Sequence, residues 1–253
     1  MATPRERAAP PAAQPQSPPT PPPPPSRRSR QWEFVRSLLV AVAIFLVLRT
    51  FVIEAFRIPS GSMENTLLIG DFLFVNKALY GAEIPFTGVR LPQVRDPRRN
   101  DLVIFKSPEE PRLTVVKRVV GMPGDTLRME DNRLVVNGVA AEEPFVIRTD
   151  PLRDHEDPKM RAWQGRYLAP DRDPASYRPT LKNWGPIVVP ADSFFVMGDN
   201  RDNSYDSRYW GFLGRNRIRG RPLIIYYSFD PNGMLPLPFF TAIRWGRIFS
   251  LPR

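Results

Sequence analysis

An unbroken apolar run, Leu38 to Leu48, eleven residues closed by Arg49, decides the layout of everything around it. A bilayer needs about 20 such residues. The run reaches that length from Trp32 to Val52 if Arg36 and Arg49 extend to opposite interfaces and Trp32 sits among the headgroups. The flank Thr50-Phe51-Val52-Ile53-Glu54-Ala55-Phe56 stays bulky and offers no small-residue cleavage site, so the segment reads as a retained anchor and not as a removed leader. Arg27, Arg28, Arg30 and Arg36 precede it, and only Arg49 and Arg57 closely follow. That asymmetry puts the N-terminal tail in the cytoplasm and everything from about Phe56 onward outside.

Of the 31 prolines, eleven fall before residue 26, and residues 1–30 lack the apolar side chains that build a core. They read as a disordered, partly polyproline II tail. After the transmembrane helix, placed over 31–53, an exported domain is expected over 54–253. Its strand signals are a short apolar strand fed by the Gly70-Asp71 turn within Thr66–Lys77, then Asp101–Lys106, Leu113–Val120 and Leu223–Phe229. The expected fold is mainly β: a transmembrane helix, then an antiparallel β catalytic domain (core about 54–78, 99–125 and 190–250) with a β-rich, proline-studded insertion at about 126–189. The closing segment Phe239–Phe249 mixes aromatics with arginine, which suits either a membrane interface or docking on the core.

A formal charge of +10 calls for an anionic partner, lipid headgroups or nucleic acid. Arg215, Arg217, Arg219 and Arg221 alternate as on one face of a strand, but they lack interleaved aromatics and a nucleic-acid motif, so membrane lipid is the expected partner.

The chemistry narrows by elimination. The chain has no cysteine, and its one histidine, His155, lies in the charged, proline-bracketed loop Asp150–Pro158, so a thiol nucleophile is excluded and a Ser-His-Asp triad is improbable. Ser62 is the candidate nucleophile, with Gly61 beside it leaving room for a substrate to approach. A serine hydroxyl attacks nothing until a base takes its proton. The remaining familiar base is a neutral lysine. Lys117 lies in the β-branched stretch Leu113-Thr114-Val115-Val116-Lys117-Arg118-Val119-Val120, sharing its face with Leu113, Val115 and Val119. Burial there lowers an amine from its ordinary pKa of about 10.4 towards the working range. Arg118, on the opposite face, stays charged and is expected in a structural ion pair.

Near residue 200, Gly198-Asp199-Asn200-Arg201-Asp202-Asn203-Ser204-Tyr205-Asp206-Ser207-Arg208 packs hydrogen-bonding residues behind a hydrophobic strand. Together with Pro59-Ser60-Gly61-Ser62-Met63 and Lys117-Arg118-Val119-Val120-Gly121, this stretch resembles the signature boxes of bacterial type I signal peptidase, in the same order and behind the same kind of anchor. The resemblance implies a single-pass enzyme of the bacterial inner membrane that removes signal peptides from exported preproteins without cofactor or metal. It implies Ser62 as nucleophile and Lys117 as base, Ser60 as a hydroxyl in the oxyanion hole, Ser204 as the hydroxyl that orients the lysine amine, and Asp206 with Arg208 as a supporting pair. The implied substrate is an extended segment ending in small residues, of the Ala-x-Ala kind, with Phe56, Ile58, Met63, Leu67, Leu73, Val115 and Val116 as candidate pocket walls. One departure is Asn65, which stands where many members carry proline. The rival readings are a self-cleaving Ser-Lys protein and a basic, non-catalytic anchored binding protein.

Overall fold

In a computed structural model the described residues are 27–85, 87–150, 152–170 and 172–252, with side chains described from residue 31 onward. Residues 1–26 of the expected proline-rich tail lie outside them. The chain divides between Ala43 and Ile44 into two compact units. The described part of the first lies in helix α1, Arg27–Val47, up to Ala43. A π-helical turn, Leu48–Val52, continues it in the second unit. Gln31–Val52, 22 residues, is long and apolar enough to cross a membrane. At 1.5 Å per residue it measures about 33 Å.

The second unit is built from two antiparallel sheets. The larger has the order β1-β2-β11-β3-β4-β9-β10, and the smaller β7-β6-β5-β8. The strands are β1 Ile53–Arg57, β2 Asp71–Asn76, β3 Leu102–Lys106, β4 Thr114–Gly121, β5 Thr126–Glu130, β6 Arg133–Val136, β7 Val139–Ala140, β8 Trp184–Val188, β9 Ser193–Met197, β10 Leu213–Gly214 and β11 Ile218–Ser228. Short helices α2 Pro158–Gln164, α3 Ser207–Trp210 and α4 Pro238–Thr241 sit between or after them. The mainly β, antiparallel expectation holds.

Period-two patterning explains the strand faces. In β2, Asp71, Leu73 and Val75 are buried while Phe72, Phe74 and Asn76 are half-buried. β4 differs, being buried from Val116 to Gly121. Val116 packs with Ile58, Met63, Leu67 and Leu73 in one cluster, while Val119 packs with Val103, Phe105 and Phe194 in another. A strand covered on both faces is where a lysine can be kept from water.

The structure fills in two sequence expectations and corrects a third. The insertion carries the second sheet but also helix α2, whose Asp157 cap accepts from the amides of Lys159 and Met160, with Pro158 at the first turn. Arg215 and Arg217 belong to a 3-10 turn and not to a strand, so the four arginines share no strand face. They are also not a free basic stripe: Arg215 pairs with Asp96 and Arg219 with Glu83. The closing segment, for which the sequence left two behaviours open, docks on the core. Arg247 holds the buried Asp71 carboxylate through Nη2 at 2.6 Å and Nε at 3.0 Å, while Phe240, Trp245 and Phe249 remain exposed.

Candidate active site

Ser62 sits in the 3-10 turn Gly61–Met63, entered from an extended Ser60 (φ −137°, ψ 158°). The segment before it is stitched to the approach to β2: Ile58 N donates to Asp71 O at 2.9 Å and Gly70 N to Ile58 O at 3.1 Å. Ser62 is 8% exposed, and its carbonyl accepts from Asn200 N at 3.1 Å. Ser60 is exposed. Gly61 is buried, and a Cβ there would lie 3.2 Å from Glu64 Oε2. Asn65 adopts φ 86°, which proline cannot reach, so the turn after Ser62 is one that a proline at this position would forbid.

Lys117 stands opposite Val103 in the β3–β4 ladder and is 4% exposed. Its Nζ lies 2.5 Å from Ser62 Oγ, in hydrogen-bond contact. Burial pushes its pKa down to about 8; Asp206 and Asp199 pull it up, and the Arg208 guanidinium adds to the downward push. Of the expected face, Val115 and Val119 are present on β4, whereas Leu113 precedes the strand and is exposed. Arg118, on the other face, makes the expected ion pair: Nε and Nη2 donate to the two oxygens of buried Asp199 at 2.8 and 2.6 Å. Thr66 Oγ1 donates to the same carboxylate at 2.5 Å, and the guanidinium lies 3.8 Å from the centre of the Phe145 ring.

The residues after β9 form the floor. Gly198 is required by space: a Cβ there would come within 2.4 Å of both Ser62 O and Ser204 Oγ. Asp206, fully buried, accepts from Gly198 N at 3.0 Å, Ser204 Oγ at 2.7 Å, and Arg208 Nε and Nη2 at 2.8 and 3.0 Å. Burial alone would raise its pKa, but the Arg208 charge and these hydrogen bonds outweigh that and hold it below the ordinary carboxylate value. The Ser204 hydroxyl has one proton, and it goes to Asp206. Among the described residues, the hydrogen-bond partner of Lys117 Nζ is Ser62.

The candidate pocket residues divide. Ile58, Met63, Leu67, Leu73 and Val116 form one buried cluster with Phe56 packed against it. Met63, Leu67 and Leu73 have no exposed surface, so they support a wall without touching a substrate, whereas Phe56 and Val115 are half-buried and can. His155 is exposed in its loop.

Several supporting contacts are absent from the sequence reading. The insertion reaches the site: Ile147 N donates to Asp199 O at 2.9 Å, Arg201 N donates to Ile147 O at 3.0 Å, and Arg201 pairs with Glu143 at 2.5 Å. The density of Asp, Asn and Arg after Gly198 signals a bonded loop but does not say which distant residues complete it.

The sequence model described as "Signal peptidase, peptidase S26" matches residues 31–227. Signal peptidase I of Pseudomonas aeruginosa is 36% identical over 233 residues, covering 83% of this chain and 78% of that protein. The enzyme of the same name from Pseudomonas fluorescens matches at 36% with the same coverage, and a probable signal peptidase I-2 of Synechocystis at 31% over 80% of this chain and 76% of its own. A crystal structure of a signal peptidase I from Enterococcus faecalis aligns with a TM-score of 0.34 at 30% identity, covering 51% of this chain and 98% of that one. Matched over most of its length by the family's sequence model and by relatives at 30% identity or more, this chain belongs to the signal peptidase family, peptidase S26, a family of hydrolases.

Proposed function

We propose that this chain is a membrane-bound serine endopeptidase that cuts signal peptides from exported preproteins, with Ser62 as nucleophile and Lys117 as general base. The observation that carries the reading is the 2.5 Å contact between Lys117 Nζ and Ser62 Oγ, away from water. In its neutral form the amine accepts the Ser62 proton while Oγ attacks the scissile carbonyl. The developing oxyanion is held by the Ser62 amide and the Ser60 hydroxyl, both donors on the same turn. The Lys117 ammonium then gives its proton to the departing amine, which leaves as the new N-terminus of the mature protein. Lys117, neutral again, takes a proton from water as the water attacks the acyl ester and returns it to Ser62 Oγ as the ester C–O bond breaks, which restores the free hydroxyl and the neutral amine.

The substrate adds as an extended strand between the backbone near Ile58 and that near Val115, ending in small side chains of the Ala-x-Ala kind. Asp206 and Arg208 hold the loop that carries Ser204, and Ser204 helps fix the surroundings of the lysine. The helix Gln31–Val52 anchors the chain once, with its N-terminus in the cytoplasm and residues 54–253 on the exported side. The domain bounds follow the same reading, with 31–53 spanning and the insertion at about 126–189.

The test is an incubation of the full chain in detergent with a preprotein, beside three variants. Wild type cuts after the small-residue pair; Ser62→Ala and Lys117→Ala do not; Ser60→Ala is about a hundredfold slower in kcat. Cleavage that survives Ser62→Ala would overturn the assignment.

A further inference from the structure

A cavity of about 890 Å³ lies beside the candidate site without including Ser62 or Lys117 among its walls. It is lined by Ala55 and Phe56 of β1, Ile104 of β3, Thr114 of β4 and, at one end, Leu48, with Lys106 also on its wall. Two of these strands lead into the proposed cleavage groove. Phe56 precedes Ile58 by two residues and so lies on the same side of an extended chain. Thr114 immediately precedes Val115. Both walls of the cavity thus run along the chain into the strands that flank the proposed groove.

The direction of the substrate follows from the chemistry. The departing amine must stand at Lys117, which lies three residues beyond Thr114 along β4. The acyl side of the scissile bond, and everything upstream of it, is thereby directed to the Thr114 and Phe56 end. A strand advances about 3.3 Å per residue, so a substrate strand whose last retained residue sits at Ile58 draws level with Ile53 roughly five residues upstream. Residues Leu48–Val52 immediately before Ile53 close the span that we read as the anchor.

We propose that this cavity binds the segment of the signal peptide roughly four to seven residues before the scissile bond, the link between the small-residue pair and the apolar stretch that the substrate leaves in the bilayer. The proposal rests on the Ser62–Lys117 reading and extends it upstream. The walls suit such a link: Phe56 and Ile104 offer apolar contact, and Lys106 offers a donor for backbone carbonyls left unpaired by an extended chain. The cavity adds to substrate affinity at positions remote from the reacting atoms.

Two substrates with the same cleavage sequence test this, one beginning three residues before the scissile bond and one carrying the upstream segment. Wild type is expected to show a kcat/KM advantage for the long substrate, carried by KM, and filling the cavity by Ala55→Trp or Thr114→Trp should cut that ratio about tenfold. Both substrates are measured on the same preparation, so a loss of folded protein cancels in the ratio. As a second measurement, a benzophenone side chain placed five residues upstream of the scissile bond should crosslink the Ser62→Ala protein at β1 or β3. A ratio unchanged in both filled variants, or crosslinks only outside these strands, would overturn the proposal while leaving the dyad intact. If wild type cuts neither substrate, the Ser62–Lys117 reading itself has failed.

Discussion

Burying the Lys117 amine is unfavourable for its charged form, and the fold offsets that only in part, since Asp206 and Asp199 pull against burial and Arg208 and leave the pKa at about 8. At pH 7 roughly one molecule in ten then holds the neutral base, against about one in several thousand for an ordinary lysine. The expected kcat/KM profile rises about tenfold per pH unit on the acid side and levels off near pH 8, as a stopped-time cleavage assay across pH 5–9 would read. A profile still rising steeply at pH 9 would mean that the base is not this amine. The same shift has a stability consequence. Because the folded pKa lies below the unfolded one, the folded state binds fewer protons between about pH 8 and 10.5, so stability rises with pH through that window and the full penalty is present below it. At pH 7 the penalty is about 3 kcal/mol. Lys117→Met removes the charge at similar volume, so it should abolish cleavage and yet raise the denaturant midpoint at pH 7, with the gain shrinking towards pH 10.

The loop from Gly198 to Arg208 works as an element because its bonds converge on two buried carboxylates. Asp199 fixes Arg118 and Thr66, Asp206 fixes Arg208, Ser204 and Gly198 N, and between them Asn200 N holds the carbonyl of Ser62. Gly198→Ala places a methyl where Ser62 O and Ser204 Oγ now stand, and since both neighbours are held the turn bearing Ser62 must move. A displacement near 1 Å costs about a hundredfold in kcat, with smaller effect on KM; single-turnover kinetics would check this, and a kinetically silent Gly198→Ala would show that the turn yields freely. Much of this element is legible in the sequence, because the β-branched run around Lys117 and the polar density after Gly198 are local patterns. Its closure is not. The Arg118–Asp199 pair joins residues 81 apart and the Arg201–Glu143 pair residues 58 apart, and no periodicity encodes which acid meets which base. Helix α2 escaped for the opposite reason: at seven residues it is too short for a period, and only the Asp157-Pro158 cap announces it. The strand reading of Arg215–Arg221 failed because alternation alone cannot tell a 3-10 turn from a strand start.

At the scale of the whole chain, six arginines of the second unit serve as internal ties. Arg95 with Asp101, Arg99 with Asp125, Arg118 with Asp199, Arg201 with Glu143, Arg208 with Asp206 and Arg247 with Asp71 tie the sheets and loops of the second unit together. Partly or fully buried guanidinium–carboxylate pairs of this kind specify which segments meet, and removing one partner is strongly destabilising because it strands the other charge. None of these pairs involves a residue before Ala43. The strands and loops that carry Ser62 and Lys117 likewise belong to the second unit. Removing residues 1–43 should therefore leave peptide cleavage and the thermal midpoint of the second unit close to wild type, because no buried pair and no core cluster is cut. Cleavage of a preprotein held in vesicles should instead fall by about a hundredfold, since under the proposed reading the helix would confine enzyme and substrate to one surface and raise their effective concentration. Parallel assays with a soluble peptide and with vesicle-inserted preprotein, backed by vesicle co-sedimentation, separate the two effects. An equal loss on both substrates would mean that the first unit supports the fold of the second, and the division of labour between anchor and catalytic sheet would have to be abandoned.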